Sequence, residues 1–236
     1  MNIRIILFAI ITMSRACSGQ NAFVNLDFES ANPVSAHDPT YPSAVTSASA
    51  LPGWNVYCGG VLQTAVFQNN ASAGSATADL FGPTQPPLTA RFGGPGIING
   101  NYTVVLQAGY EPSLGKLVDT YLEQTGLIPA ADMSLEFKAW KTAFTTFAVS
   151  FNGSDLPLID LGPGANYELY GVDISAFSGQ SGALEFTALQ TGGLTFLELD
   201  DITFSTQAVA EPSPLMLAGF GGLMFLLRRR FAANKR

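Results

Sequence analysis

The chain of 236 residues predicts an all-β domain built as a β-sandwich. Three observations lead there. Short runs rich in Val, Ile, Phe, Thr and Tyr alternate with Gly, Pro, Asn and Ser punctuation, the pattern of many short strands joined by turns. Outside the two ends, no stretch sustains the 3.6-residue apolar period of a helix. No repeat of fixed period runs through the chain, so a solenoid or propeller is not expected.

Residues 101–107 read as an apolar central strand. In the next strand Leu135, Phe137 and Ala139 share one face, and Glu136, Lys138 and Trp140 share the other, because successive side chains alternate. Trp140 is thereby expected on the side away from the core. Phe147, Val149 and Phe151 line one face of a further strand, followed at once by Asn152-Gly153, a strong hairpin signal. The returning strand is expected over 156–161, another over 183–189, and a long last strand over 195–204. Two segments, 32–50 and 82–100, are rich in Pro, Ser, Ala or Gly without periodicity and read as long surface loops.

The ends read differently. Arg4, the apolar run 5–13 and the small residues Ala16-Cys17-Ser18 form a signal peptide, residues 1–18, cut by signal peptidase after Ser18. Lipidation of Cys17 is the other reading of that site, against which Ser14-Arg15-Ala16 lacks the usual large aliphatic residue. With Cys17 removed, Cys58 is left alone and no intramolecular disulfide can form. At the other end, residues 209–236 combine Val209–Pro214, the apolar segment 215–227 and Arg228, Arg229 and Arg230. The apolar segment is shorter than the roughly 20 residues of a full span. The arginines that follow favour a membrane segment with its basic end in the cytoplasm. A β-sandwich domain over 19–208 lies between the two ends.

Ala210-Glu211-Pro212, the glycines 219, 221 and 222 and the arginine triplet resemble the PEP-CTERM tail of exported bacterial proteins, although the first proline of that pattern is missing. The resemblance implies export, membrane anchoring through the C-terminal tail, and processing by an exosortase-type protease that reads Glu211, Pro212, Arg228, Arg229 and Arg230.

Between residues 19 and 208 there are 17 acidic side chains against four basic ones, Arg91, Lys116, Lys138 and Lys141. Nucleic acid is excluded as a partner, since phosphate binding needs basic patches. An acidic surface stays soluble and attracts divalent cations.

Four short patches, Asn25–Glu29, Leu51-Pro52-Gly53-Trp54, Gln124-Thr125 with Pro129, and Leu199-Asp200-Asp201-Ile202, resemble in this order the galactose-binding-like jelly roll of many carbohydrate-binding modules. The resemblance spans about 23–205. It implies a jelly-roll β-sandwich whose first strand opens at Asn25–Glu29, with Trp54 packed inward. It also implies a structural calcium between the chain ends, held first by Glu29 and Asp201 and next by Asp27 and Asp200. Calcium takes hard oxygen ligands, and a cation would relieve the repulsion between two such carboxylates.

Signatures of catalysis are nearly absent. His37 is the only histidine, no Gly-x-Ser-x-Gly elbow is present, and histidine and cysteine are too few for zinc. No catalytic residue is assigned. Sugar binding calls for exposed aromatic rings, and Trp140, with Tyr57 and Tyr110 in or near loops, supplies candidates. The expected function is an exported, non-catalytic envelope or matrix protein that binds, or is embedded in, polysaccharide. The alternatives are a structural surface protein without a specific ligand, and a glycoside hydrolase, for which the acids offer many carboxylate pairs but single out none.

Overall fold

The computed structural model describes residues 21–70, 75–84 and 94–209. The signal peptide with Cys17, the apolar segment 215–227 and the sorting residues Glu211, Pro212, Arg228, Arg229 and Arg230 lie outside them.

Numbered in chain order, 15 strands form two sheets among the described residues. The nine-stranded sheet runs β1 (Ala44–Thr46), β4 (Ala65–Gln68), β5 (Thr77–Phe81), β6 (Thr103–Glu111), β15 (Thr195–Ser205), β9 (Ser134–Lys141), β13 (Glu168–Asp173) and β12 (Ile159–Pro163), with β7 (Lys116–Val118) hairpinned onto β6. The six-stranded sheet runs β11 (Ser154–Leu156), β10 (Thr146–Phe151), β14 (Ser181–Leu189), β8 (Thr120–Leu127), β2 (Asn55–Cys58) and β3 (Val61–Leu62). All pairings are antiparallel except β4 with β5. From β8 to β10, and again from β13 to β15, consecutive strands alternate between the sheets, the winding of a jelly roll.

Alternation decides what fills the space between the sheets. Leu135, Phe137 and Ala139 of β9 are fully buried, as are Phe151 and Phe186 from the facing sheet. Phe137 meets Phe186 edge to face with centroids 5.1 Å apart, and Trp54 meets Phe186 at 6.2 Å. Each such ring contributes roughly 1.5–3 kcal/mol relative to leaving it in water. Trp54 lies in the core as expected, its indole N–H donating to the Asn25 carbonyl at 3.0 Å. The Asn152-Gly153 turn also forms as read. Both residues take positive φ, 50° and 73°, the requirement of a type I′ hairpin, and Phe151 pairs with Ser154 across it.

Three expectations are corrected. Asn25–Glu29 is a compact turn and not the opening of a strand: Asn25 and Phe28 have φ of 51° and 58°, and the Asn25 carboxamide oxygen accepts from Ser30 N–H at 2.9 Å. Strand-like pairing of the preceding segment is instead supplied by a side chain. The Gln124 amide accepts from Val24 N–H at 2.6 Å and donates to its carbonyl at 3.0 Å. The stretch 32–50 is not all loop, since it ends in β1 and the one-turn helix α1 (Ser47–Ala50). The returning strand over 156–161 is two strands in different sheets. Leu156 closes β11 with its side chain in the core, Pro157 has no N–H for a ladder, and β12 begins at Ile159.

The last strand carries a β-bulge. Asp200 pairs with Lys138 and Thr203 with Glu136, so Asp201 and Ile202 together oppose Phe137. Asp201 takes φ 53°, which carries Ile202 into the core and leaves Asp200 and Asp201 outside it. The chain enters and leaves at one pole of the sandwich: Leu127 N–H donates to the Asn21 carbonyl, and Phe23 stacks on Phe204 with centroids 5.3 Å apart.

Candidate functional site

The outer face of the six-stranded sheet is built by the side chains that alternation turns away from the core. In β8, Leu122 and Gln124 point inward and Tyr121, Glu123 and Thr125 outward; in β14, Leu184 and Phe186 point inward and Glu185 and Thr187 outward. The strand register places these residues in two adjacent rows. One row runs Leu62, Tyr57, Tyr121, Thr187 and Ala148. The next runs Asn55, Glu123, Glu185, Ser150 and Asp155.

The first row holds a stacked pair, with the Tyr57 and Tyr121 rings 4.8 Å apart at 15°. Beside it lies an open groove of about 310 Å³, lined by Tyr121, Glu185 and Thr187 and walled by the β2–β3 turn Gly59-Gly60 and the β7 hairpin. The second row puts Glu123 directly opposite Glu185, an arrangement that like charges disfavour. Thr187 hydroxyl donates to Glu185 at 2.6 Å. Burial raises the Tyr121 phenol pKa, and Glu185, Glu123 and the Tyr57 phenol raise it further. The face therefore offers an aromatic platform next to a line of hydrogen-bond acceptors and hydroxyls. That is what a polyhydroxylated ligand with apolar ring faces needs: rings for its C–H faces and acceptors for its hydroxyls.

The residues singled out in the sequence lie elsewhere. Trp140 does point away from Phe137, as alternation required, but it is half-buried and the loop 94–100 packs on it. A side-chain carbon on Gly94 would sit 3.1 Å from the Trp140 ring. Next to it across the strands is Glu198, 1 % exposed, whose Oε2 has no hydrogen-bond partner among the described residues. Burial pushes the Glu198 carboxyl up to about 8, against a hydrogen bond from Gly96 N–H that lowers it. Burial likewise pushes Asp200 up to about 7, while Thr103 hydroxyl at 2.6 Å, Asn99 N–H at 3.1 Å and Asp201 N–H at 2.7 Å hold it in place.

The expected calcium ligands are committed to protein donors. Glu29 accepts from Asn101 N–H at 2.7 Å, Asn101 Nδ2 at 2.9 Å and Tyr102 N–H at 2.9 Å. Burial raises the Glu29 carboxyl, but these hydrogen bonds outweigh it and hold the group below its ordinary value. Asp201 pairs with Lys138 at 2.6 Å, and Asp27 accepts from Glu29 N–H at 3.2 Å within the turn. No three His, Cys, Asp or Glu side chains converge as a metal cage among the described residues. This donor set does not fit a shared Ca²⁺. Glu29, Glu198 and Asp200 instead clasp one segment, 96–103, through its backbone N–H groups and the Thr103 hydroxyl. Cys58 is buried, which raises its thiol to about 11 and leaves it unreactive.

Sequence reasoning placed Tyr57 in or near a loop and did not name Tyr121, Glu123 or Glu185. The signal was present as period-two alternation in Thr120–Leu127, broken to the eye by a buried Gln and Gly on its inner face.

No protein-family model matches the chain. No curated protein matches it either. Among solved structures, it is similar to TmCBM61 in complex with β-1,4-galactotriose, at TM-score 0.38 and 11% identity over 78% of this chain and 97% of that one. It is similar to the family 11 carbohydrate-binding module from Clostridium thermocellum with a β-1,3-1,4-mixed-linked tetrasaccharide, at TM-score 0.32 and 10% identity over 68% and 92%. A third similar structure is the enzymatically active domain of bacteriophage CBA120 tailspike protein 4, at TM-score 0.35 and 15% identity over 65% of this chain and 19% of that one.

Proposed function

We propose that this chain is an exported, non-catalytic polysaccharide-binding protein, sorted to the cell envelope by its C-terminal tail, that takes an extended glycan across the outer face of its six-stranded sheet. The observation that carries the reading is the pair of adjacent rows. Tyr57 and Tyr121 form the aromatic row, and Asn55, Glu123, Glu185, Ser150 and Asp155 form the polar one. A ligand lying across the strands meets both rows at once. Neither row carries a basic side chain, and Glu123, Glu185 and Asp155 outnumber Lys116 on the groove wall, so a neutral glycan suits the face better than a polyanionic one.

A non-catalytic role accords with the place of the two carboxyls most suited to proton transfer. Glu198 and Asp200 are each 1 % exposed beneath the segment 94–103, and both hold its backbone. A general acid must reach the atom it protonates. Export and anchoring rest on the sequence of the two ends.

The test is a glycan array, followed by titration with soluble β-1,4-galactan and β-1,3-1,4-mixed-linked glucan. Tyr121→Ala should weaken binding at least tenfold, about 1.4 kcal/mol, with the melting temperature nearly unchanged. Equal affinity of wild type and variant would refute this face as the site.

A further inference from the structure

The nine-stranded sheet has its own outer face, on the opposite side of the sandwich. Over most of β6, β15 and β9 the segment 94–103 covers it. At the β1–β4–β5 end Ala65, Phe67 and Thr77 stay partly exposed, while Ala44, Asp79 and Phe81 are buried. Val66 points into the core, so its neighbours Ala65 and Phe67 point out. Phe67 is half-buried and pairs across the ladder with Ala44. Tyr41 stands over Phe67 at 79°, centroids 5.4 Å apart, and half of its surface is exposed. The two rings make a floor and a wall at a right angle. Between them and the start of the β6–β7 turn opens a groove of about 350 Å³, rimmed by Asp38, Gln63 and Glu111.

The rim is oriented in advance. Asp38 Oδ1 accepts from Thr40 N–H at 2.7 Å and Tyr41 N–H at 3.1 Å, fixing the turn that presents Tyr41. Glu111 Oε1 accepts from Ser113 N–H at 3.0 Å, and Gln63 Nε2 donates to the Val61 carbonyl at 2.8 Å. Each group thus uses one atom on the protein. Asp38 Oδ2, Glu111 Oε2 and Gln63 Oε1 take no hydrogen bond among the described residues, and all three side chains belong to residues that line the groove. An aromatic corner with acceptors on its rim matches a single hydroxyl-rich ring, stacked by its C–H face and donating its hydroxyls outward. Two carboxylates at the rim repel an anionic sugar.

We propose that this corner is a second glycan site, for one neutral sugar unit at a chain end or branch, and that the protein cross-links polysaccharide. The inference rests on the sheet-face reading above and extends it. The two sites open from different sheets, on the two sides of the β6–β7 hairpin: residues 116–119 line the first groove and Glu111, Pro112 and Ser113 the second, so a polymer would have to turn around that hairpin to fill both. A molecule holding a chain on each face bridges two chains, and binding to a network gains avidity without new contacts.

The experiment uses the full folded region with soluble β-1,4-galactan and β-1,3-1,4-mixed-linked glucan as probes. Binding stoichiometry is read by calorimetry with their tetrasaccharides, and cross-linking by light scattering of the polymers. The wild type should bind two tetrasaccharides and cause polymer particles to grow. Tyr41→Ala and Tyr121→Ala should each bind one and abolish the growth, and the double variant should bind none. Ala65→Trp fills the corner while keeping every rim group, and should behave as Tyr41→Ala does. If Tyr41→Ala and Ala65→Trp still bind two and still cross-link, the second site is overturned while the sheet-face reading stands. If Tyr121→Ala alone is without effect, the sheet-face reading falls. A wild type that retains neither polymer, nor any glycan on the array, overturns both.

Discussion

Glu198→Gln is the most discriminating single change for the covered face of the nine-stranded sheet. The Glu198 carboxyl lies beneath residues 94–96, with Oε2 unsatisfied, and its pKa is raised from 4.5 to about 8 by burial. Below pH 4.5 the group is protonated whether the chain is folded or not, and it contributes no pH dependence. Between 4.5 and about 8 the unfolded chain releases the proton and the folded one keeps it. Stability therefore falls as pH rises through that window, by up to about 1.4 kcal/mol per pH unit for this one group, and levels off above 8. From pH 5 to pH 8 the loss is about 3.5 kcal/mol. The amide of the Glu198→Gln variant is close in size, can still accept from Gly96 N–H and does not titrate. Urea denaturation of both proteins at pH 5, 6.5 and 8 isolates the group, because Asp200 and every other carboxyl titrate alike in the two. The variant should gain on the wild type steadily with pH, with most of the gain in place by pH 8. A stability difference that stays the same at all three pH values would show that Glu198 ionises normally and that the segment above it leaves the carboxyl wet.

Other expectations follow from the same geometry. Trp140→Ala should cost about 1–2 kcal/mol in urea denaturation, less than the roughly 3–5 typical of a fully buried Trp, and should leave glycan binding unchanged; a weakened affinity would return the ligand to that face. EDTA should not shift the melting temperature, since Glu29, Asp27, Asp200 and Asp201 are held by protein donors; a drop of several degrees would show a bound cation. Deleting residues 211–236 should release the protein from the membrane fraction with its β-domain folded; retention of the truncated protein in that fraction would show that the tail is not the anchor. Gln124→Leu should destabilise by about 1–3 kcal/mol in thermal or urea melts, because Val24 N–H and its carbonyl lose their partner; an unchanged melt would show that the entry segment contributes nothing to the fold.

Strands whose two faces differ sharply were legible. The alternation in 134–141 assigned Phe137 to the core and Trp140 to the opposite side, and both hold. Strands whose inner face is polar were not: Thr120, Gln124 and Gly126 are buried in β8, so the period-two contrast that would have announced Tyr121 and Glu123 was blurred. The acidic patches near the chain ends showed the neighbourhood but not the protein donors that meet them. Nothing in the order of residues shows that Glu29 meets the backbone of Asn101 and Tyr102, or that Asp201 meets Lys138, because those contacts depend on a bulge and on a turn with positive φ at Asn25 and Phe28. The corner at Tyr41 and Phe67 was equally hidden, since it joins a segment read as loop to a strand with no marked alternation.

Residues 21–23 and 204–205 meet at one pole, which has a topological consequence: the fold is nearly a closed ring of chain. Domains of this kind tolerate being spliced into the surface loop of another protein, because the host loop needs to open only by the small gap between entry and exit. They also tolerate being reconnected, old ends joined by a short linker and new ends cut elsewhere. The Asn152-Gly153 turn is the natural cut, a two-residue hairpin tip with both residues exposed. A permutant opened there would display its ends beside β10 and β11, at the Ser150–Asp155 end of the polar row and away from Tyr57, Tyr121 and the Tyr41 corner, so the module could be threaded in series along a single polypeptide as a multivalent glycan ligature.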